Sequence, residues 1–278
     1  MAGTDLASKS MAVHQLVTSL GSVAVAYSGG VDSTLLLAIC QEVMGSGREL
    51  ALTAVSELMP AAELAQAAEM AGRLGVPHRT IRFELLRNPD IQANRPDRCY
   101  HCKRALFSRL QQVARAEGLT VLLHGANLDD AGDFRPGLRA AEELGVRAPL
   151  LEAGFTKADV RALSRQMGLP TWDLPALACL ASRVPYGTAL TVEALQRVDA
   201  AESYLRQRFA LRELRVRDHF PLARIEVAEA EIPRLSQPGP REEITARLRH
   251  LGYLYVALDL QGFRSGSLNE ALRSVDAS

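Results

Sequence analysis

Ser22-Val-Ala-Val-Ala-Tyr27, then Ser28-Gly29-Gly30-Val31-Asp32-Ser33, then Thr34-Leu-Leu-Leu-Ala-Ile-Cys40 is the stretch that decides the fold. The first six residues are apolar, β-rich and too short for a helix, which predicts a buried strand. The last run stays apolar to Met44, which predicts a helix. Between them lies a glycine loop. Glycine lets a backbone approach an anion closely, and the next helix offers free N–H groups and a positive dipole end. Ser28 and Ser33 add hydroxyl donors. Ser28, Gly29, Gly30, Val31, Asp32 and Ser33 therefore predict a phosphate cradle. Asp32 is odd beside phosphate unless a cation sits there, so it is assigned to Mg2+ or to orienting a group. The fixed lysine of a Walker A loop is missing, and no GxxxxGK[ST] occurs in the chain. A plain Gly-Gly turn with a serine cap is the alternative.

The same rhythm continues outward. Strands are expected over 49–55, 78–83 and 120–124. Helices are expected over 12–20, 60–74, 99–117 and 158–167, the last capped by Thr156 and stopped by Gly168-Leu-Pro170. Strands alternating with helices predict an α/β fold, a parallel sheet with helices on both faces. Residues 170–187 are proline-rich and irregular. Beyond them the rhythm changes to helix 191–209, strands 213–217 and 224–227, helix 241–250 and strand 253–259. This reads as a small C-terminal α/β domain. The expected division is 1–187 and 188–278.

The chain has 278 residues, 47% hydrophobic and 23% charged, which excludes disorder as its main state. Its formal net charge is zero. That argues against a polymer partner held by phosphate electrostatics, so no nucleic-acid partner is expected. Lys9, Lys103 and Lys157 are the only lysines among 32 basic residues. Arginine suits bidentate binding of phosphate and carboxylate, although a genome rich in G and C produces the same bias. No apolar stretch approaches the roughly 20 residues of a membrane span. The start, MAGTDLASKS, lacks a basic-then-apolar leader pattern, so a cytoplasmic protein is expected.

Four cysteines remain: Cys40, Cys99, Cys102 and Cys179. A reducing cytosol disfavours structural disulfides. Cys40 falls in the apolar helix after the loop and reads as core. Cys99 and Cys102 form a CxxC in Pro96-Asp-Arg-Cys-Tyr-His-Cys-Lys103, which by itself fits zinc, iron–sulfur, a redox pair or chance. Cys179 lies in the irregular stretch, where sites concentrate. Cys99, Cys102 and Cys179 could hold a cluster with one iron open to an added ligand such as hydrosulfide. His101 and His124 are weaker ligand candidates and read as structural.

The loop resembles the SGGxDS hallmark of the PP-loop ATP pyrophosphatases. That resemblance implies cleavage of ATP between the α- and β-phosphates. AMP is placed on a carboxylate or carbonyl oxygen, and a nitrogen or sulfur nucleophile then displaces it. Taken together, AYSGGVDSTLL, PDRCYHCK, GANLDDAGDFRPGLRA, FTKADVRALSRQMGLPTWDLPALACLASRVPYG, LRVRDHFPLARIEV and DLQGFRSGSLNE resemble the LarE family over residues 12–272. The resemblance implies an ATP-dependent sulfur transferase of nickel-pincer nucleotide synthesis, the cofactor of lactate racemase. Its implied substrate is pyridinium-3,5-biscarboxylic acid mononucleotide, and its implied assembly is a homohexamer. Each carboxylate is adenylated and converted to a thiocarboxylate. The family has two sulfur sources. In one, a single cysteine matching Cys179 gives up its own sulfur and becomes dehydroalanine. In the other, three cysteines matching Cys99, Cys102 and Cys179 hold a [4Fe-4S] cluster that carries sulfide from a donor. All three are present, which favours the cluster form.

Other residues follow. Asn127, Asp129 and Asp130 come just after a strand end, where open α/β sheets bind ligands, and are candidates for Mg2+ and the ATP phosphates. Arg215 and Arg217 alternate on one strand face, as do Arg224 and Glu226 on the next, so the pairs could line one wall for a substrate anion. Solvated strand faces would look similar. Arg183, four residues after Cys179, is a further anion-binding candidate. Trp172 could stack on a flat ring or simply pack. The rival readings are a PP-loop tRNA thiolase and a non-catalytic nucleotide-binding or redox-sensing module. Neutral charge and the lack of further CxxC pairs count against the thiolase.

Overall fold

The glycine loop leaves the centre of a parallel sheet, and that placement follows from the strand order. The computed structural model describes residues 5–45, 47–131, 136–175, 178–264 and 266–270. Strands β1 (Val23–Ala26), β2 (Glu49–Val55), β3 (His78–Arg82) and β4 (Val121–His124) lie in the order β3-β2-β1-β4. Every pair is parallel: Val23 sits beside Glu49 and Val121, and Ala51 beside His78. The chain therefore builds outward from β1 through β2 to β3, then returns to place β4 on the other side of β1.

Alternation along the strands separates two cores. Val23 and Val25 pack with Val13, Leu36, Ile39, Met70 and Val160, so the helices Leu6–Thr18, Val31–Met44, Ala61–Arg73 and Lys157–Gln166 cover that face. Ala24 packs with Leu52, Phe107, Leu110, Leu122 and Ala141, which puts Arg98–Ala116 and Pro136–Glu143 on the other. A sheet covered on both sides explains why β1 is a continuous apolar run rather than an alternating one. Leu35, Leu36 and Leu37 are all fully buried. Each such side chain stabilises the fold by about 1.5–3 kcal/mol. The expected cap of Lys157–Gln166 is a reciprocal capping box between Thr156 and Asp159. Lys9 from the first helix also reaches Asp159, at 2.6 Å.

Cys40 is core, as its setting implies: it is fully buried, and burial together with the nearby Glu49 carboxylate pushes its thiol up to about 12. Glu49 is the anomaly of this core. It is 3% exposed, and neither carboxylate oxygen has a hydrogen-bond partner among the described residues. Burial raises its pKa. A raised carboxylate pKa means the folded state binds the extra proton, so the penalty grows as pH rises above the ordinary glutamate value of about 4.3. Glu49→Gln, uncharged at every pH, is expected to gain about 1–3 kcal/mol over the parent at pH 8 and less at pH 5. Urea melts at the two pH values check this; a gain independent of pH would disprove it.

The chain divides into two compact units, Met1–Glu84 with Asp97–Leu177, and Leu85–Pro96 with Ala178–Ser278. The second contains the helix Val192–Phe209, capped by the Thr191 side chain, then strands β5 (Leu214–His219) and β6 (Leu222–Val227), the helix Pro238–His250 and β7 (Tyr255–Leu258). Strands β5 and β6 are antiparallel, while β6 and β7 are parallel. Leu214, Val216, Ala223, Ile225 and Val227 point into one core with Leu205 and Leu248. Period-2 alternation then puts Arg215, Arg217, Arg224 and Glu226 on the opposite face. Residues 85–96 and 178–187, placed with the first domain by sequence, lie in the second unit. One reason is visible: Asn94 donates to the carbonyls of Val184 and Pro185. Among the described residues, no helix is long and apolar enough to cross a membrane.

Candidate active site

The loop after β1 and the loop after β4 leave neighbouring strands at their carboxyl ends, and the chain order reverses between these strands. Such a switch point opens a crevice for ligands. Gly29 has φ +76°, and a Cβ there would meet Ala67 at 3.0 Å, so both its conformation and its space demand glycine. Gly125, just past β4, approaches the loop so closely that a Cβ would lie 2.8 Å from the Ser33 nitrogen. Gly30 is the N-cap of Val31–Met44. The Ser28 and Ser33 hydroxyls are 3.1 Å apart, the Ser28 nitrogen donates to Ser33 Oγ at 3.3 Å, and Ser33 Oγ donates to the Gly30 carbonyl at 3.2 Å. These contacts fold the loop back on its own helix terminus, where N–H groups and the dipole favour an anion.

Asp32 sits in the first turn of that helix and is the centre of a polar network. Asn127 Nδ2 donates to its Oδ1 at 3.0 Å, and Lys157 Nζ donates to its Oδ2. The Lys157 backbone N–H donates to Asp129 at 2.9 Å, and that of Asn127 to Asp130 at 3.0 Å. The structure thus brings the loop, Asn127, Asp129 and Asp130 together. Mg2+ is typically held by one or two carboxylates with phosphate oxygens and water, and this donor set suits that chemistry. Lys157 was missed as a site residue. Its signal was present: it is one of three lysines in an arginine-rich chain, and it follows a helix cap.

Cys99 and Cys102 lie in the first turns of Arg98–Ala116, three residues apart and so on one helix face. Both are partly exposed. Arg98 Nη2 lies 3.7 Å from Cys99 Sγ. Two such thiols suit thiolate ligation of iron. Within either unit, the described residues gather no group of three metal-binding His, Cys, Asp or Glu side chains. His101 bonds Asp97 at 3.2 Å. His124 packs on Phe107, and burial with the nearby Lys103 charge lowers its pKa to about 4, so it is neutral near pH 7. Trp172 is 37% exposed, with the Arg165 guanidinium 5.1 Å from its ring.

In the second unit Cys179 precedes the short turn Leu180–Arg183 and is partly exposed. Arg183 is 2% exposed and forks onto Glu202 at 2.8 and 2.9 Å. Its Nη1 donates to the carbonyls of Ala178 and Cys179 at 2.6 and 3.0 Å. Arg183 thus fixes the backbone that carries the thiol. The strand register sets Arg215 opposite Glu226 and Arg217 opposite Arg224, so the four residues share one face of the sheet. Arg217 forks onto Glu226 at 3.0 and 2.8 Å and donates to the Ser182 carbonyl at 2.7 Å, which ties this face to the cysteine turn. Glu226 is fully buried and also holds Arg224 and Ser267. Arg215 is partly buried, with its guanidinium 5.1 Å from the Phe263 ring. Burial and the charges of Arg183, Arg206 and Arg217 lower its pKa to about 10.

Comparison with known proteins bears on this arrangement. The family model described as asparagine synthase matches residues 10–127, the segment from the first helix through β4 to Asn127. A Synechocystis protein of uncharacterised function is 43% identical over 96% of this chain and 99% of its own. Pyridinium-3,5-bisthiocarboxylic acid mononucleotide synthase of Lactiplantibacillus plantarum is 40% identical over 96% of both chains. The chain belongs to the LarE family. An uncharacterised protein of Methanocaldococcus jannaschii is 28% identical over 87% of this chain and 91% of its own. LarE membership makes the first unit a PP-loop ATP pyrophosphatase domain and the protein an ATP-dependent sulfurtransferase.

Proposed function

We propose that the protein adenylates the carboxylates of pyridinium-3,5-biscarboxylic acid mononucleotide and converts them to thiocarboxylates, for a nickel-pincer nucleotide cofactor. The observation that carries this reading is the match, along nearly the whole of both chains, to a synthase named for the bisthiocarboxylic product. An unactivated carboxylate is a poor electrophile. Its oxygen attacks the α-phosphorus of ATP, the bond to the β-phosphate breaks, and pyrophosphate leaves. Loop N–H groups from Ser28 to Ser33 would stabilise charge on the phosphates as it develops. Asp32, Asn127 and Asp130 would position Mg2+. Sulfur then displaces AMP at the acyl carbon.

Arg215 and Arg217, with Glu226 orienting Arg217, would receive the substrate's phosphate or carboxylate. The cationic crowding that depresses Arg215 is relieved when an anion binds beside it. Arg183 would set the backbone of Cys179 for the sulfur step. Cys99, Cys102 and Cys179 would hold a [4Fe-4S] cluster, which when bound would supply an iron position open to sulfide from an external donor. In the alternative reading no cluster is used and Cys179 donates its own sulfur. The working assembly is a cytoplasmic homohexamer, with no nucleic-acid or membrane partner.

The test is ATP with Mg2+, the pyridinium substrate and sulfide under anaerobic conditions. Pyrophosphate release and a product heavier by the exchange of oxygen for sulfur are expected. Absence of pyrophosphate would refute the enzyme reading. A salt-sensitive complex with tRNA that gains sulfur would replace it with the thiolase.

A further inference from the structure

The loop Ser28-Gly29-Gly30-Val31-Asp32-Ser33 carries no cation of its own, unlike a Walker A loop. The fold brings one from 125 residues away. Lys157 Nζ is bonded to Asp32 Oδ2, and the pair is partly open, with side chains 31% and 21% exposed. Asn127 holds the other oxygen of Asp32 at 3.0 Å. Both oxygens of the one carboxylate in the loop are therefore engaged before any nucleotide arrives.

The Lys157 main chain is fixed independently of its side chain. Its N–H is bonded to Asp129, and the Thr156–Asp159 capping box sets the helix start. The lysine stem is thus a flexible arm on a rigid base. A flexible ammonium that can leave one anion for another is what a lysine offers and a forked arginine does not.

We propose that Lys157 and a divalent cation exchange places on Asp32. In the nucleotide-free protein Lys157 occupies the carboxylate and keeps free Mg2+ off it. When Mg2+–ATP binds, the metal takes the Asp32 oxygen and the Lys157 ammonium moves to the polyphosphate. The cation missing from the loop is then supplied by the helix Lys157–Gln166 of the same chain. Two charges swap partners, and none is left unpaired at either stage. No bond other than these ionic contacts is made or broken.

This rests on the reading of the loop as an ATP site. It is tested by binding alone, without substrate, sulfide or cluster chemistry. Mn2+ serves as the probe for the metal, followed by its electron paramagnetic resonance, and Mg2+–ATP by calorimetry. In Lys157→Met, Mg2+–ATP is expected to bind about tenfold or more weakly, the scale of losing one charged contact. Mn2+ without nucleotide is expected to bind about tenfold more tightly, because the competing ammonium is gone. Lys157→Arg keeps the charge and is expected to leave nucleotide-free Mn2+ affinity near that of the parent. Thermal melts of each variant confirm that it is folded. Mg2+–ATP affinity unchanged in Lys157→Met overturns the proposal, and so does unchanged Mn2+ affinity. Failure of the parent protein to bind Mg2+–ATP refutes the functional reading instead.

Discussion

Cys179→Ala abolishes thiocarboxylate formation while pyrophosphate release from ATP persists: this is the expected result with the largest effect on activity. The physical basis is the separation of chemistries between the two units. The glycine loop with Asp32, and Asn127, lie in the first unit, and Cys179 lies in the second. Removing one sulfur atom from a partly exposed thiol disturbs no core. The backbone hydrogen bonds from Arg183 to residues 178 and 179 do not involve the Cys179 side chain. Both sulfur sources require Cys179, so they are separated by a companion variant. Cys99→Ala is expected to lose product and iron together in the cluster form. Full activity in Cys99→Ala would leave Cys179 as donor, and the protein would then lose the mass of one hydrogen sulfide after one turnover, as cysteine becomes dehydroalanine. Product from Cys179→Ala would sink both mechanisms.

Glu202→Ala has the largest expected effect on stability. Glu202 is fully buried on the helix Val192–Phe209. It accepts the Arg183 fork, a bond from Arg206 at 2.7 Å and the Val216 backbone N–H at 3.0 Å. Truncating it leaves the Arg183 guanidinium buried without its carboxylate. Breaking a buried pair in this way costs about 3–5 kcal/mol. That is a large share of the roughly 5–15 kcal/mol of a whole domain. Burial alone would raise the Glu202 pKa, but the Arg183 and Arg206 guanidiniums hold it below the usual value. A depressed carboxylate pKa adds stability above the unfolded value, about 4.3, and that stability is lost as pH falls through the folded value. The parent is therefore expected to weaken below about pH 4.3, and Glu202→Ala to lack this part of its acid sensitivity. Glu202→Gln, which keeps the shape and one acceptor, should fall between them. Urea melts across pH measure all three. A loss below about 1 kcal/mol in Glu202→Ala would show that Arg183 finds another partner.

Much of the first unit was legible because its local signals agree with its global packing. Period-2 strands, helices of the right length and a glycine loop at a strand end all describe one parallel sheet. The Thr156 cap and the core setting of Cys40 needed no partner to be read. The strand positions of Arg215 and Arg217 gave their shared face by alternation alone. The domain limits were less legible. Residues 85–96 carry no signal that Asn94 will bond to residues 184 and 185, which lie some ninety positions away. Arg183 was legible as a cation, but Glu202, which holds it, stands nineteen residues on in an ordinary helix.

The sequence by itself determined the α/β class, the glycine loop at the end of β1 and the positions of the cysteines. Each of these is written in neighbouring residues, where steric and hydrogen-bonding rules act over a few positions. Only the tertiary structure decided what each charge faces. Lys157 meets Asp32, Arg183 meets Glu202, and the Glu49 carboxylate finds no hydrogen bond among the described residues, because charge pairing depends on distance in space and not along the chain. The loop Ser28-Gly29-Gly30-Val31-Asp32-Ser33 reads as a cradle on its own. Its cation is supplied by the fold.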